Sequence, residues 1–230
     1  MNTAVKDTAK AQDIRQAEGT AASGEVFPSP PQLQLAVPPH RFTTDDYLAI
    51  VDAGVLGPED KVELIDGTIS DMSPQGSGHG STMIRLMRLF AALMDQCEVA
   101  PQITIPLGEG RVVDPDLMLL RRRDDAYRRA YARPEDVLLL IEVASTSQVR
   151  DREVKAPIYA AAGVADYWVI DIPGDRVFIH RGPAGDTYSE IRMLRRGDKL
   201  TPVNFPDFEL DIADLLGPPV DDAESDDKGE

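Results

Sequence analysis

Two apolar, strand-like runs each carry a carboxylate where a protein core tolerates none. They are Val112-Val113-Asp114-Pro115-Asp116-Leu117-Met118-Leu119-Leu120 and Val137-Leu138-Leu139-Leu140-Ile141-Glu142-Val143. An ionised acid among buried aliphatic side chains costs several kcal/mol unless it is paired or bound to a metal. Two such costs in neighbouring runs mark a site. Lys155 follows on an expected helix. Two carboxylates and a lysine, with a Pro-Asp dipeptide at the first acid, form the constellation of a metal-dependent phosphodiesterase.

Asp116 opens its run and Glu142 lies near the end of its own. If the two strands pair antiparallel, the carboxylates converge at one edge of the sheet. At about 4 Å and an effective dielectric of about 20, two such charges repel by about 4 kcal/mol. Either one of them holds a proton or a cation sits between them. Oxygen ligands on a rigid sheet suit a hard octahedral ion, Mg²⁺ or Mn²⁺. Glu63, between Val62 and Leu64, points away from those two by strand alternation. It is either a third carboxylate at the metal or an exposed face residue. Lys155 and Tyr159 share a helical face, and Pro157 places Lys155 at or just before the helix start. From there the lysine reaches the carboxylates or is a solvated helix residue. Asp114 reads as a turn partner of Asp116 or an outer ligand. His79, between Gly78 and Gly80, is a loop or cap residue or a phosphate contact.

Along the chain, residues 1–40 are rich in Ala and Pro and read as a flexible arm. A folded unit is expected over 41–216, followed by an acidic disordered tail over 217–230. Thr43 or Thr44 can cap a helix through about Ala53. Asp66-Gly67 between two short apolar runs is a hairpin signal. Residues 80–96 carry helical periodicity, 99–105 and the acid-bearing runs near 113–120 and 136–143 read as strands, and 151–162 as a helix ending at Gly163. Tyr167–Ile170 and Val177–His180 form a further strand pair, followed by strand-like segments over 187–194 and a short helix near 211–216. This order is mixed α/β, with one central sheet flanked by helices. It alternates too irregularly for a doubly wound fold or a barrel. There is no glycine-rich phosphate loop, zinc-like Cys/His cluster or nucleophile elbow.

Net charge is −16, which opposes nucleic-acid binding driven by phosphate attraction. Part of that charge sits in the tail, where Asp221, Asp222, Glu224, Asp226, Asp227 and Glu230 face only Lys228. The clearest basic cluster comprises Arg121, Arg122, Arg123, Arg128, Arg129 and Arg133. It is either a solvated connection or a phosphate-gripping edge beside the site. The one cysteine, Cys97, excludes an internal disulfide and fits a reducing compartment. No apolar run approaches the ~20 residues of a membrane span. These features point to a cytoplasmic protein with no membrane partner.

At these residues the chain resembles the PD-(D/E)XK nuclease superfamily. Within it, the chain is most similar to a bacterial family described as restriction endonucleases of unknown target. The matching segments are Val62-Glu63-Leu64-Ile65-Asp66-Gly67, His79 before a long helix, Pro115-Asp116 and Glu142-Val143-Ala144-Ser145. Asp151, Lys155, Tyr159, Gly163-Val164, Tyr167-Trp168 and Asp171 complete the series. The resemblance implies a restriction-endonuclease-like mixed sheet and Mg²⁺- or Mn²⁺-dependent cleavage of nucleic acid, with DNA the expected substrate. Asp116 and Glu142 would hold the metal, with Glu63 as accessory carboxylate. Ala144 stands where the strand motif has Lys, and the family supplies that lysine from the following helix, here Lys155. Thr146 and Gln148 replace the more usual Pro and Thr. His79, Arg121 and Arg122 are candidate phosphate contacts, and a homodimer is compatible with two-strand cleavage. Asp116→Asn, Glu142→Gln and Lys155→Ala are each expected to abolish cleavage with folding largely intact. The alternatives are a catalytically silent module of this fold holding nucleic acid or a protein partner, and an acidic protein-interaction domain.

Overall fold

Pro115 has no N–H to give to a sheet ladder, and the apolar run containing it breaks there. Val112–Val113 (β5) pairs with the early hairpin, whereas Leu117–Arg121 (β6) belongs to the central sheet. The single strand expected over 113–120 is therefore two strands in different sheets. Asp114-Pro115-Asp116 is the crossing between them. The computed structural model describes residues 38–57, 59–72, 75–145 and 154–219. The N-terminal arm through residue 37, the end of the acidic tail and the resemblance's Thr146, Gln148 and Asp151 lie outside the described residues.

The hairpin joins Val62–Ile65 (β1) to Thr68–Asp71 (β2), with Ile65 opposite Thr68. Its turn residues, Asp66 and Gly67, both take positive φ, 46° and 75°, as a type I′ turn requires. With β5 and Ile105–Pro106 (β4) they form a small sheet in the order β2-β1-β5-β4. Thr44–Asp52 (α1) starts at a reciprocal cap between Thr43 and Asp46. Its Tyr47 packs with Leu64 and Val112 into a small core of its own.

The central sheet adds Cys97–Pro101 (β3), Val137–Ala144 (β7), Asp166–Asp171 (β8), Arg176–Ala184 (β9) and Thr187–Arg195 (β10). Its order is β10-β9-β8-β7-β6-β3. Only β7 and β8 run parallel, and a parallel pair needs a crossover. That crossover carries the short helix Ala156–Ala161 (α3). Every residue of β7 is buried, because helices cover both faces. Leu139, Ile141 and Val143 meet Leu86 and Phe90 of Ser77–Phe90 (α2) and Ile212 and Leu215 of Ile212–Leu216 (α4). Leu140 and Ala144 meet Ile158 and Tyr159 of α3 on the other face. A two-stranded sheet, Lys199–Leu200 (β11) with Leu210–Asp211 (β12), closes the unit.

The helix expected over 80–96 is α2 followed by a 3₁₀ turn, Ala91–Leu93. The strand expected over 99–105 ends at Pro101, because Gln102 turns the chain with φ 49°. Among the described residues no helix is long and apolar enough to cross a membrane.

Candidate active site

The site is assembled by strand register. Leu117 stands opposite Ile141 and Met118 opposite Leu140 in the antiparallel β6–β7 pair. Alternation along β7 puts Glu142 on one face with Leu140, and Asp116, the residue just before β6, is tied beside it because its carboxylate accepts from the N–H of Val143. That face is the one bearing Met118, Leu140 and Ala144. Both acids are buried, Asp116 to 7% exposure and Glu142 to 3%.

The other functional side chains arrive from three elements. Glu63 of β1 is 1% exposed, so the alternation that turns Leu64 into the small core turns Glu63 inward to the site. Lys155, at the N-cap of α3, places its Nζ 2.9 Å from Glu63 Oε1 and 3.0 Å from Glu142 Oε1. Tyr159, one helical turn on, donates its hydroxyl to Glu142 Oε1 at 2.6 Å. Burial, with the Glu142 charge beside it, holds the Tyr159 phenol well above its ordinary range, so it remains a donor. The cation between two of the carboxylates is thus the Lys155 ammonium.

Asp116 has separate partners. His79 Nε2, from the first turn of α2, lies 2.8 Å from Oδ1, and the backbone N–H of Val143 donates to Oδ2 at 2.7 Å. The Gln75 amide reaches Oδ1 at 3.5 Å. His79, a candidate phosphate contact from the sequence, is 4% exposed and faces the carboxylate itself. Among the described residues, three buried carboxylates, Glu63, Asp116 and Glu142, gather around the Lys155 ammonium and His79. Among the described residues no three Asp, Glu, His or Cys side chains converge into a metal cage. Mg²⁺ is commonly held by one or two carboxylates together with water and substrate phosphate. Two hard-oxygen donors, Asp116 and Glu142, fit that demand.

Asp114 turns toward the hairpin, its backbone N–H donating to Glu63 Oε1 at 3.4 Å. Burial holds its carboxyl above the usual range; the Thr104 hydrogen bond opposes this and the Glu63 charge adds to it. A carboxyl whose folded pKa exceeds its unfolded one costs stability above the unfolded pKa, because the unfolded chain releases its proton first. Asp114→Asn is therefore expected to melt above the parent at neutral pH. The gap should close as pH falls to about 4, the ordinary aspartate range. A gap that does not change with pH would contradict this account.

Arg121 and Arg122 are held by backbone carbonyls away from Asp116. Arg121 ends β6, about 17 Å from Asp116 at the usual strand rise. There its guanidinium donates to Glu135 O, while Arg122 donates to Asp95 O. The structure also revises the expectation that Lys155→Ala spares folding. Lys155 is 5% exposed and bridges two buried acids, so its loss removes an ion-pair partner from each of them. Two partners carry no mark in the sequence that singles them out, Gln75 and the Val143 N–H. Tyr159 had one, its spacing from Lys155.

A mixed six-stranded sheet with buried acids at its antiparallel β6–β7 pair, and a lysine at the start of the next helix, defines a restriction-endonuclease-like α/β protein. The chain belongs to the Uma2 family, described as "Putative restriction endonuclease", whose model matches residues 44–213. It is also similar to a crystal structure of a putative nuclease belonging to DUF820 from Anabaena variabilis ATCC 29413. The TM-score is 0.62 at 19% identity, over 76% of this chain and 97% of that one, a likeness of fold. No curated protein matches the chain.

Proposed function

We propose that the protein is a Mg²⁺- or Mn²⁺-dependent endonuclease that hydrolyses phosphodiester bonds in nucleic acid, with DNA as its substrate. The observation that supports this reading is the Lys155 ammonium held between Glu63 and Glu142, beside an Asp116 whose carboxylate accepts from the Val143 N–H. Asp116 and Glu142 would hold the ion, which supplies Lewis acidity and a template for the scissile phosphate. Glu63 fixes the lysine. Tyr159 fixes the rotamer of Glu142, and Val143 N–H and His79 fix Asp116. Lys155 Nζ would donate a hydrogen bond that orients the attacking water and offsets charge developing on phosphorus. The single cysteine supports a cytoplasmic setting. A homodimer would bring two such sites to two strands.

The test is nicking of supercoiled DNA by the full chain with Mg²⁺ and with Mn²⁺, beside binding in EDTA. Metal-dependent nicking that disappears in an Asp116→Asn, Glu142→Gln, Lys155→Ala triple variant is the expected result. Robust cleavage by that variant would sink the assignment. The net charge of −16 favours a second reading, a silent module of the same fold; binding without cleavage would select it. His79→Ala removes an outer partner of Asp116, and such partners are typically worth about 10- to 100-fold in metal affinity or activity. Calorimetric Mn²⁺ titration is expected to show that loss, and an unchanged affinity would show that His79 does not tune the site.

A further inference from the structure

A cleft of about 500 Å³ lies between α2 and the end of α4. It is lined by Arg85 and Arg88 of α2, by Arg196, and by Asp214 and Gly217-Pro218 at the exit from α4. Two of the arginines hold that exit. Arg85 Nη1 donates to Leu216 O at 3.3 Å, and Arg196 Nη1 to Gly217 O at 2.6 Å. Gly217 takes φ 78°, and a Cβ there would fall 2.0 Å from the Arg85 guanidinium, so arginine and backbone touch where only glycine fits. Arg196 also pairs with Asp175 at 2.7 Å. Arg88 is exposed, and among the described residues its guanidinium meets no carboxylate. Among those residues three guanidiniums thus stand against two carboxylates, Asp175 and Asp214. The result is a local excess of positive charge on a chain of net charge −16.

The chain itself carries the matching anion to this cleft. Pro218 lines it, and the sequence that follows Pro219 holds Asp221, Asp222, Glu224, Asp226, Asp227 and Glu230 against Lys228, six acids and one lysine for a net −5. Asp221 and Asp222 come two and three residues after Pro219, within about 7 and 11 Å of chain. The other residues of the chain are acidic in sum and repel such a segment. Screening, however, limits charge effects to about 8 Å at physiological ionic strength, so the segment responds to the charges nearest its point of exit. Those are guanidiniums, whose planar fork matches a carboxylate. A short tether also holds the acids at millimolar effective concentration. Arg88 lines a second groove, which runs along α2 to Gln75 and His79, the side chains that touch Asp116. Whatever pairs with Arg88 therefore borders an approach to the candidate site, about 13 Å from His79 along the helix.

We propose that the arginine cleft is the docking site of the chain's own acidic segment, residues 220–230. Its carboxylates pair with Arg88 and Arg85 and shield this side of α2 from other polyanions. The docking stands independently of the phosphodiesterase reading, whereas the shielding of nucleic acid rests on it.

Docking is tested on the full chain with a nitroxide placed by Ser225→Cys; Cys97, at 0% exposure, stays unlabelled. The amide resonances of Arg85, Arg88 and Leu89 are expected to broaden. The broadening should fall severalfold in a neutral-segment variant carrying Asp221→Asn, Asp222→Asn, Glu224→Gln, Asp226→Asn, Asp227→Asn and Glu230→Gln. It should fall likewise with Arg88→Gln, and in about 1 M salt, where the screening length is about 3 Å. Broadening that is absent, or that survives the neutral segment or Arg88→Gln, would overturn the docking. So would broadening of an enriched, unlabelled chain by a separate nitroxide-labelled one, since the segment would then dock on a second copy. Shielding is read by binding of a short single-stranded DNA in EDTA. A segment docked about nine-tenths of the time raises a competitor's apparent Kd about tenfold. The neutral-segment variant is therefore expected to bind about tenfold tighter than the parent, and Arg88→Gln should cancel that gain. Equal affinity, or a gain that persists with Arg88→Gln and so reflects net charge alone, would overturn the shield. A segment that docks on a protein that binds no DNA keeps the docking and loses the nucleic-acid reading. A parent that nicks DNA while its segment never docks keeps the phosphodiesterase and loses the docking.

Discussion

Replacing Lys155 with Ala is expected to destroy cleavage and a large part of the folding stability together. The ammonium sits 2.9 Å from Glu63 and 3.0 Å from Glu142, with all three side chains buried. Breaking a buried pair by removing one partner costs about 3–5 kcal/mol, because the remaining charge has neither solvent nor counter-charge. Here one deletion removes an ion-pair partner from two buried carboxylates at once. If Lys155 donates to the reacting phosphate as proposed, its loss should reduce turnover by about 10²- to 10³-fold. The two effects separate in a double variant. Lys155→Met combined with Glu63→Gln removes one negative charge along with the positive one and preserves volume. Denaturant melts should show most of the stability restored, while nicking remains lost. If Lys155→Ala melts like the parent, the ammonium does not hold the acids together. If the double variant cuts normally, the lysine has no part in the reaction.

Asp116→Asn is expected to behave in the opposite sense, with activity lost and the fold kept. The substituted side chain still offers one oxygen to the Val143 N–H or to His79, the two partners at 2.7 and 2.8 Å. It lacks the charge needed to hold a divalent cation opposite Glu142. Lewis-acid stabilisation is worth several kcal/mol, and a loss of about 4 kcal/mol is about a thousandfold in rate. Steady-state nicking should fall by at least that factor, while the melting temperature moves little. A variant that retains a tenth of the parent rate would remove Asp116 from the ion site.

Part of this architecture is legible from residue chemistry. The hairpin follows from Asp66-Gly67, because both turn positions need positive φ. Asp116 and Glu142 stand out because an acid in an apolar strand demands an explanation. That logic alone does not isolate the site, however. Asp166 and Asp171, fully buried at the two ends of β8, pair with Arg181 and Arg176 at 2.9 and 2.7 Å. They tie β8 to β9. What separates the two kinds of acid is the partner: Asp166 and Asp171 meet arginines of the neighbouring strand, whereas Glu142 meets Lys155 and Asp116 meets His79, both from helices. Glu63 was open for a related reason, since a four-residue strand has two faces and only the fold decides which is covered. Proximity in sequence does not by itself set Arg121 beside Asp116. Arg121 lies five residues from Asp116, but a strand carries that interval to the far end of the sheet. The parallel pairing of β7 with β8 depends on a crossover containing α3, which strand-like runs alone do not specify.

Anomalous diffraction from a crystal soaked in Mn²⁺ tests the central claim most directly. The account predicts one manganese peak bounded by the carboxylates of Asp116 and Glu142, absent from crystals of Asp116→Asn. A peak at other residues, or an Asp116–Glu142 site that stays unfilled at a Mn²⁺ concentration supporting nicking in solution, would contradict it.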